Sequence, residues 1–268
     1  MKRVAVCGAG GRMGRSLIQA IQHETGITLG AALEYPGSPL LGQDAGELAG
    51  VGRLGVPVLG DLSSVLPGID LVVDFSLPEP TLQHARLSAA QGKPMVIGTT
   101  GFTSEQFREL GALSEQIPMV ISGNYSVGIT ICLDLIERAT RAFGQSVDIE
   151  IMEAHHRHKV DAPSGTALML GEAVALAQGR DLTTALVHGR QGHTGERPQG
   201  QIGMHSLRGG DVVGDHQVWF MGEGERLEIR HVASSRMNFA QGALRAALWV
   251  GDQPPGHYTM RQVLGLTL

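Results

Sequence analysis

The sequence is poor in cysteine, in positive charge and in long apolar runs, and each shortage excludes a class of protein. Two cysteines, Cys7 and Cys132, among 268 residues argue against a disulfide scaffold and suit reduced thiols in a reducing compartment. A net charge of −5 leaves no basic surface for nucleic acid. The apolar run after residues 1–3 ends at Gly8, which is too short for a signal peptide, and no run reaches membrane-spanning length. We therefore expect a cytoplasmic protein with a small-molecule ligand and with no nucleic-acid or membrane partner.

Strand and helix patterns alternate along the first half of the chain. The strand patterns cover residues 4–7, 27–34, 71–75, 95–98 and 119–121. The helix patterns cover residues 16–21, 79–90 and 104–113. Between 35 and 60 the chain is rich in Gly and Pro and has few periodic features. This alternation predicts an α/β fold in which βαβ units build a doubly wound parallel sheet of the Rossmann type.

The pattern changes after Asn124. A helix is predicted at 127–143, a strand at 148–152, a polar histidine-rich loop next, and a helix at 166–177. Strand patterns at 202–207, 212–221 and 225–232 are joined by glycines at 209–210 and 222–224, which we interpret as hairpins. We expect an α+β substrate domain at 127–236 and a dinucleotide-binding domain at 1–126, to which the segment 237–268 returns.

A glycine loop follows the first strand. Its sequence is Gly8-Ala9-Gly10-Gly11-Arg12-Met13-Gly14. The strict G-x-G-x-x-G spacing fails at Met13, and the glycines that fit recur at intervals of three, at 8, 11 and 14. A turn of this kind, between a strand and a helix, allows the close backbone approach and the N–H donors that a dinucleotide pyrophosphate needs.

A carboxylate and two later strand ends strengthen this interpretation. Glu34 ends the second strand about 20 residues beyond the loop, where such proteins bind ribose hydroxyls. Gly98-Thr99-Thr100 and Ser122-Gly123-Asn124-Tyr125 end two further strands. Ligands of open α/β sheets lie outside the carboxyl ends of the strands. The alternative is a tight turn that binds nothing, with a surface glutamate nearby.

Ionisable residues are concentrated between 153 and 166, in the run Glu-Ala-His-His-Arg-His-Lys-Val-Asp-Ala-Pro-Ser-Gly-Thr. Histidine can deliver a proton near neutral pH, and lysine offers a compact charge for a carboxylate. Ser164-Gly165-Thr166 begin the next helix, where N–H groups and hydroxyls can hold an anion. Simple helix capping by the hydroxyls is the alternative. Since His155 and His156 are adjacent and no cysteine is near, we expect no metal site.

The sequence resembles the 4-hydroxy-tetrahydrodipicolinate (dihydrodipicolinate) reductase family over essentially its whole length. The resemblance rests on the motifs at 6–14, 98–102 and 153–166. It implies reduction of a cyclic dicarboxylate by hydride from NADH or NADPH, in the diaminopimelate route to lysine, by a homotetramer assembled through the second domain's sheet. The resemblance implies that His155 is the proton donor and that Lys159 is its partner. It also implies that the substrate carboxylates are bound by His156, Ser164, Gly165 and Thr166. Residues 8–13, Glu34, 98–100 and 122–125 are then cofactor ligands.

The cofactor preference depends on the residue after Glu34. Tyr35 stands where an arginine would neutralise a ribose 2′-phosphate, and Glu34 would repel that phosphate. We therefore expect NADH to be preferred over NADPH, with Tyr35 at the cofactor. Two other functions stay open: another imine or amino-acid reductase of the same build, and a redox sensor that binds NADH without turnover.

Overall fold

The computed structural model describes residues 1–266 and divides into two compact units. The first takes in Met1–Val127 and the return segment from Arg236 onward, and the second is Gly128–Ser235. Positions 267 and 268 of the predicted segment 237–268 lie outside the described residues. No helix within residues 1–266 is both long and apolar enough to cross a membrane.

A parallel sheet forms the centre of the first unit. Its strands are β1 (Lys2–Cys7), β2 (Ile27–Leu33), β3 (Val58–Leu59), β4 (Leu71–Asp74), β5 (Met95–Ile97), β6 (Pro118–Ile121) and β12 (Gly256–Tyr258). Among the described residues seven strands pair in the order β12-β6-β5-β4-β1-β2-β3, and all pairs are parallel. The order reverses at β1, so the crevice outside β1 and β4 is the place where such sheets bind ligands.

Helices cover both faces of this sheet. They are α1 (Arg12–Ile21), α2 (Ala45–Ala49), α3 (Pro78–Ala90), α4 (Ser104–Ser114), α8 (Met237–Val250) and α9 (Met260–Val263). Alternate residues of β1 point to opposite faces: Val4 and Val6 pack in the core with α1 and α8, whereas Ala5 and Cys7 pack in the core with α3 and α4. The predicted doubly wound sheet is confirmed. The segment 35–60, expected to have few regular features, contains α2, capped by Asp44, and β3.

The second unit contains a mixed sheet with helices on one face. Its strands are β7 (Asp148–His155), β8 (Leu186–His188), β9 (Ile202–Arg208), β10 (Gly214–Met221) and β11 (Arg226–Ala233), and its helices are α6 (Gly165–Ala177), α7 (Leu182–Ala185) and most of α5 (Val127–Phe143). Ile149 and Ile151 of β7 pack with Leu170 and Val174 of α6. The same side of β7 therefore also presents Glu153 and His155, because side chains alternate along a strand.

Two expectations for this sheet were wrong. The glycines at 209–210 do not join a hairpin: the order is β11-β10-β7-β9-β8, so β7 lies between β9 and β10 and runs parallel to β9. Local alternation specifies a strand but not its partner. The strand at 148–152 continues to His155, so Glu153 and His155 belong to β7 and not to a loop. The hairpin of β10 and β11 at 222–224 is confirmed.

Candidate active-site residues in each unit

The glycine loop fits tightly against the neighbouring strands. Gly8 has a φ of +77°, and a Cβ there would lie 2.9 Å from the carbonyl oxygen of Phe75. A Cβ on Gly14 would overlap the Gly8 carbonyl group, so only glycine lets α1 start this close to β1. The N-cap, Gly11, supplies no side-chain bond, and the first turn of α1 has no acidic residue. The first turn of this helix thus offers N–H donors to an anion.

Glu34 is held against this loop. Its Oε1 accepts a hydrogen bond from the Gly10 N–H at 2.7 Å, and its own N–H donates to the Leu59 carbonyl oxygen at 2.9 Å. A carboxylate can accept about four hydrogen bonds, so Glu34 retains the capacity to accept from hydroxyl groups of a ligand. Tyr35, the next residue, is 60% exposed.

A cavity of about 550 Å³ opens beside Gly8, Gly11 and Glu34. Tyr35 and Leu77 contribute apolar surface to it, and both side chains are exposed. A planar base can pack on such walls while its ribose hydroxyls bind the carboxylate. The residues in this part of the first unit therefore fit a dinucleotide.

A buried carboxylate organises the ends of β4 and β5. Asp74 is fully buried; its Oδ1 accepts from the Ser76 hydroxyl at 2.6 Å and from the Thr81 hydroxyl at 3.1 Å, and its Oδ2 lies 2.6 Å from Nδ1 of His84. The Thr81 and Thr99 hydroxyl oxygens are 2.8 Å apart. Within the described residues Cys7, Asp74 and His84 are the one group whose spacing could hold a metal, but the direct Asp74–His84 hydrogen bond already joins two of the three.

The turn after β6 is fixed by its own side chains. The Ser122 hydroxyl donates to the Asn124 carbonyl oxygen at 2.7 Å, and Asn124 Oδ1 accepts from the Ser126 N–H at 2.8 Å. Tyr125 is 1% exposed, and its hydroxyl oxygen lies 2.8 Å from the Ile97 carbonyl oxygen. Burial raises the pKa of Tyr125 well above its usual value, so this phenol is neutral. The side chain of Tyr125 is therefore not available to a ligand.

In the second unit, His155 rests on a buried carboxylate. Its Nδ1 lies 2.6 Å from Oε2 of Glu153, and Glu153 is 1% exposed. Arg208 of β9 donates to both oxygens of Glu153, at 2.8 and 2.7 Å. Burial alone would raise the pKa of Glu153, but the hydrogen bonds from Arg208 and His155 outweigh it and lower that pKa to about 2. Glu153 is therefore ionised.

Ser164 caps α6 and meets a second histidine. Its Oγ accepts from the Ala167 N–H at 3.1 Å and lies 3.0 Å from Nε2 of His216, while its N–H donates to Glu153 at 3.2 Å. Burial, followed by the charge of His155, lowers the pKa of His216 to about 4, so the His216 ring is neutral. The polar groups of Ser164 are thus already engaged, and the capping alternative holds for its side chain.

Lys159 is paired within the same segment. Its Nζ donates to the two carboxylate oxygens of Asp161, at 2.9 and 2.8 Å, and this pair lowers the pKa of Asp161. The Asp161 carbonyl oxygen accepts from Arg208 at 2.7 Å. Arg208 thus connects the segment that carries Lys159 to the carboxylate under His155.

Comparison with known proteins decides the family. The family model described as dihydrodipicolinate reductase, N-terminus, matches residues 2–125, and the model for the C-terminus of the same reductase matches residues 128–264. The chain belongs to the dihydrodipicolinate reductase family. As a member of this family it is an NAD(P)H-dependent oxidoreductase, and its first unit is the nucleotide-binding reductase domain.

Relatives of this dihydrodipicolinate reductase family member cover nearly its full length. A 4-hydroxy-tetrahydrodipicolinate reductase of Acinetobacter baumannii is 54% identical over 264 residues, 98% of this chain and 96% of the relative. One of Psychrobacter arcticus is 52% identical over 266 residues, 99% and 96%. A dipicolinate-bound dihydrodipicolinate reductase from Paenisporosarcina sp. TG-14 has a TM-score of 0.77 and 26% identity, with 97% of each chain covered. An amine dehydrogenase from Mycobacterium smegmatis, at a TM-score of 0.60, 16% identity and coverage of 97% and 95%, shares the fold.

The structure groups the predicted residues by unit. The candidate cofactor residues lie in the first unit, at the glycine loop and at the carboxyl ends of β2, β5 and β6. The candidate catalytic and substrate residues lie in the second unit, at the end of β7 and the start of α6. Ala9 is fully buried and its N–H donates to Leu33, so neither its side chain nor its N–H is available. The roles of all these residues stay predictions.

Several residues at these sites escaped the sequence analysis. Glu153 belongs to the histidine-rich segment, but the sequence analysis assigned it no role. Residues two apart on one strand point to the same face, so Glu153 lies beside His155. Arg208 and His216 reach the site through strand pairing, opposite His155 and Glu153 respectively, and no local signal marks them. Asp74 ends β4 directly, so the rule that selected Glu34 could also have selected it.

Proposed function

We propose that this chain reduces 4-hydroxy-tetrahydrodipicolinate, by way of dihydrodipicolinate, to tetrahydrodipicolinate with NAD(P)H, in diaminopimelate and lysine biosynthesis. The observation that carries the proposal is the pair formed by His155 and the buried, ionised Glu153, in a family whose relatives bear this reductase name. A histidine so held is suited to donating a proton. The dipicolinate-bound relative supports a small cyclic dicarboxylate as substrate.

In this proposal the first unit holds the cofactor. The loop at 8–13 would lie against the pyrophosphate, with the N–H groups of Arg12 and Met13 in the first turn of α1 as its donors. Glu34 would bind the adenosine ribose, and the ends of β5 and β6, at 98–100 and 122–125, would contact the remainder. Tyr35 and Leu77 would provide apolar contacts to the base. The bound nicotinamide supplies the hydride. Because Glu34 carries a negative charge and Tyr35 offers no cation, we propose that NADH is preferred over NADPH.

The second unit would hold the dicarboxylate and supply the proton. Gly165 and Thr166, with Ser164 at the cap, stand at the N-terminus of α6, where backbone donors and the helix dipole favour an anion. His156, which directly follows β7, would contribute a further carboxylate ligand. Lys159 would exchange Asp161 for a substrate carboxylate. His155 would deliver its proton to the ring carbon that becomes negative as hydride arrives, which quenches the developing charge.

We also propose that the protein works in the cytoplasm as a homotetramer. The face of the second sheet opposite α5 and α6 carries exposed Leu207 and Val232, which are consistent with subunit contacts through this sheet. Size-exclusion chromatography with light scattering measures the subunit number. A monomer at working concentration contradicts the assembly but leaves the chemistry intact.

A coupled assay tests the reaction. The substrate is generated enzymatically in the cuvette, and loss of the reduced nicotinamide signal is followed with and without this chain. Rapid loss of the nicotinamide signal that requires both the generated substrate and this chain supports the proposal. Turnover only with other imines from a matched panel indicates a different reductase, and binding of NADH without any oxidation indicates a sensor.

A further inference from the structure

The proposed function uses the pair of His155 and Glu153 but does not say what the buried carboxylate does to the histidine ring. Glu153 is 1% exposed, and its two oxygens accept hydrogen bonds from His155, from the Ser164 N–H, from both terminal nitrogens of Arg208 and from the side chain of Ser206. A buried charge is costly unless it is paired and fully hydrogen-bonded. Such an arrangement is a stringent restraint on every group it contacts.

The restraint fixes one nitrogen of the ring. Because Glu153 is ionised, it accepts and does not donate, so Nδ1 of His155 at 2.6 Å carries the hydrogen. The fork of Arg208 keeps the carboxylate from rotating, since each of its terminal nitrogens holds a different oxygen, at 2.8 and 2.7 Å. The ring therefore has one preferred tautomer and one preferred orientation.

The other nitrogen is left clear by a glycine. A Cβ at position 214 would lie 3.1 Å from Nε2 of His155, closer than a side chain comfortably sits. Gly214 begins β10, next to the strand that carries His155. The neutral His216 ring packs edge-on against His155, with centroids 5.2 Å apart, and limits its tilt from the same side.

We propose that Glu153, locked by Arg208, is the positioning residue for His155, holding Nδ1–H so that Nε2 is the nitrogen that delivers the proton. The inference rests on the proposed function and names the atom through which it acts. In each turnover the doubly protonated ring of His155 loses the hydrogen on Nε2, a C–H bond forms at the substrate ring, and the neutral ring, which keeps its hydrogen on Nδ1, regains a proton on Nε2 from solvent. Glu153 keeps its charge throughout.

The chain offers a matched control on the same strand. Glu150 is also buried, at 7% exposure, and also bonds arginines and a histidine: Arg190 at 2.8 Å, Arg197 at 3.0 Å and His205 at 2.7 Å. Hydrogen bonds from Arg190 and His205 outweigh burial and lower its pKa to about 2. It points to the opposite face of β7, away from His155. Replacing it removes the same kind of network without touching the active-site ring.

The kinetic test compares Glu153→Gln with Glu150→Gln. The glutamine keeps the size of the side chain, but its amide can also donate, so the ring loses its single tautomer. We expect Glu153→Gln to lower kcat by roughly 10- to 100-fold, less than the 10²–10⁴ that loss of a general acid costs, with KM for the dicarboxylate unchanged. Glu150→Gln should keep its kcat. Equal kcat values for Glu153→Gln and the wild type, in folded protein, overturn the inference.

A spectroscopic test does not need the Glu153→Gln variant to fold. Nitrogen chemical shifts of ¹⁵N-histidine-labelled wild type distinguish the two neutral tautomers, and His155→Gln assigns the signal by its loss. We expect the Nδ1–H tautomer for His155; an Nε2–H tautomer overturns the inference. A wild type that has this tautomer but does not reduce the substrate contradicts the proposed function and leaves the placement of the proton standing.

Discussion

The backbone N–H of Gly10 donates to Oε1 of Glu34 at 2.7 Å, which ties the carboxylate to the glycine loop. A fixed negative charge at this point repels a 2′-phosphate and accepts from 2′- and 3′-hydroxyls. The neighbouring Tyr35 is exposed and supplies no positive charge. The proposed preference for NADH over NADPH depends on these two residues.

The first prediction concerns this choice of cofactor. The wild type should show a higher kcat/KM with NADH than with NADPH. Tyr35→Arg should raise kcat/KM for NADPH by about tenfold, because a guanidinium pairs with the phosphate at a strength of roughly 1.5 kcal/mol or more. Tyr35→Phe is the control and should not change the ratio of kcat/KM with NADH to kcat/KM with NADPH. A clear NADPH preference in the wild type contradicts the interpretation of Tyr35.

The second prediction concerns the proton donor. His155→Gln should lower turnover by roughly 10²–10⁴-fold, the range expected for a general acid, while circular dichroism and thermal unfolding show an intact fold. His158→Gln removes an exposed histidine three residues away and should keep most of the activity. Near-normal turnover of His155→Gln would remove this residue from the chemistry.

The third prediction concerns the ion pair of Lys159 and Asp161. Lys159 Nζ lies 2.8 Å from Asp161, so in the proposed function Asp161 competes with a substrate carboxylate for this ammonium group. Asp161→Asn removes the negative charge that competes with a ligand carboxylate for Lys159, so calorimetry should show dipicolinate binding several-fold more tightly to this variant. Lys159→Met should instead weaken binding. If Asp161→Asn binds more weakly, the ammonium group is positioned by Asp161 and not withheld by it.

The fourth prediction concerns the pH dependence of stability. Burial and then His155 lower the pKa of His216 from 6.5 to about 4. As the pH falls below 6.5 the unfolded chain takes up a proton that the folded chain refuses until about pH 4, so the free energy of unfolding decreases across this window, by on the order of 3 kcal/mol. Glu150 and Glu153, with pKa values of about 2, add a second loss as the pH falls from 4.5 towards 2.

Urea unfolding at intervals from pH 7 to pH 4 measures the first of these losses. His216→Asn should flatten the stability profile there, whereas His193→Asn, at an exposed position, should not change its shape. A His216→Asn profile as steep as that of the wild type assigns the loss to other groups.

The parts of the site that could be predicted from sequence are those with local signals. The glycines of 8–14 and the carboxylate of Glu34 follow strands, and the carboxyl ends of parallel strands share one edge. The parallel sheet followed from the alternation of strand and helix patterns. For the same reason the cap at Ser164 was open to prediction, since a serine before a helix pattern is a common start signal.

The parts that could not be predicted depend on strand pairing. Arg208 reaches Glu153 because β9 lies parallel beside β7, and His216 reaches Ser164 because β10 lies antiparallel on its other side. Glycines at 209–210 permit either a hairpin or a crossover, and the hairpin predicted there was wrong. The buried charge of Glu153 looked like part of a polar loop because its arginine partner is 55 residues away.

The most direct test of the account follows hydrogen atoms into the product. The reaction is run with NADH deuterated at the transferable position in ordinary water, and with unlabelled NADH in heavy water, and the product is analysed by mass spectrometry. The account predicts cofactor-derived deuterium in the first product and solvent-derived deuterium in the second, both formed far more slowly by His155→Gln. A product without cofactor-derived label, or label retained on the oxidised nicotinamide alone, would contradict direct hydride transfer to the dicarboxylate.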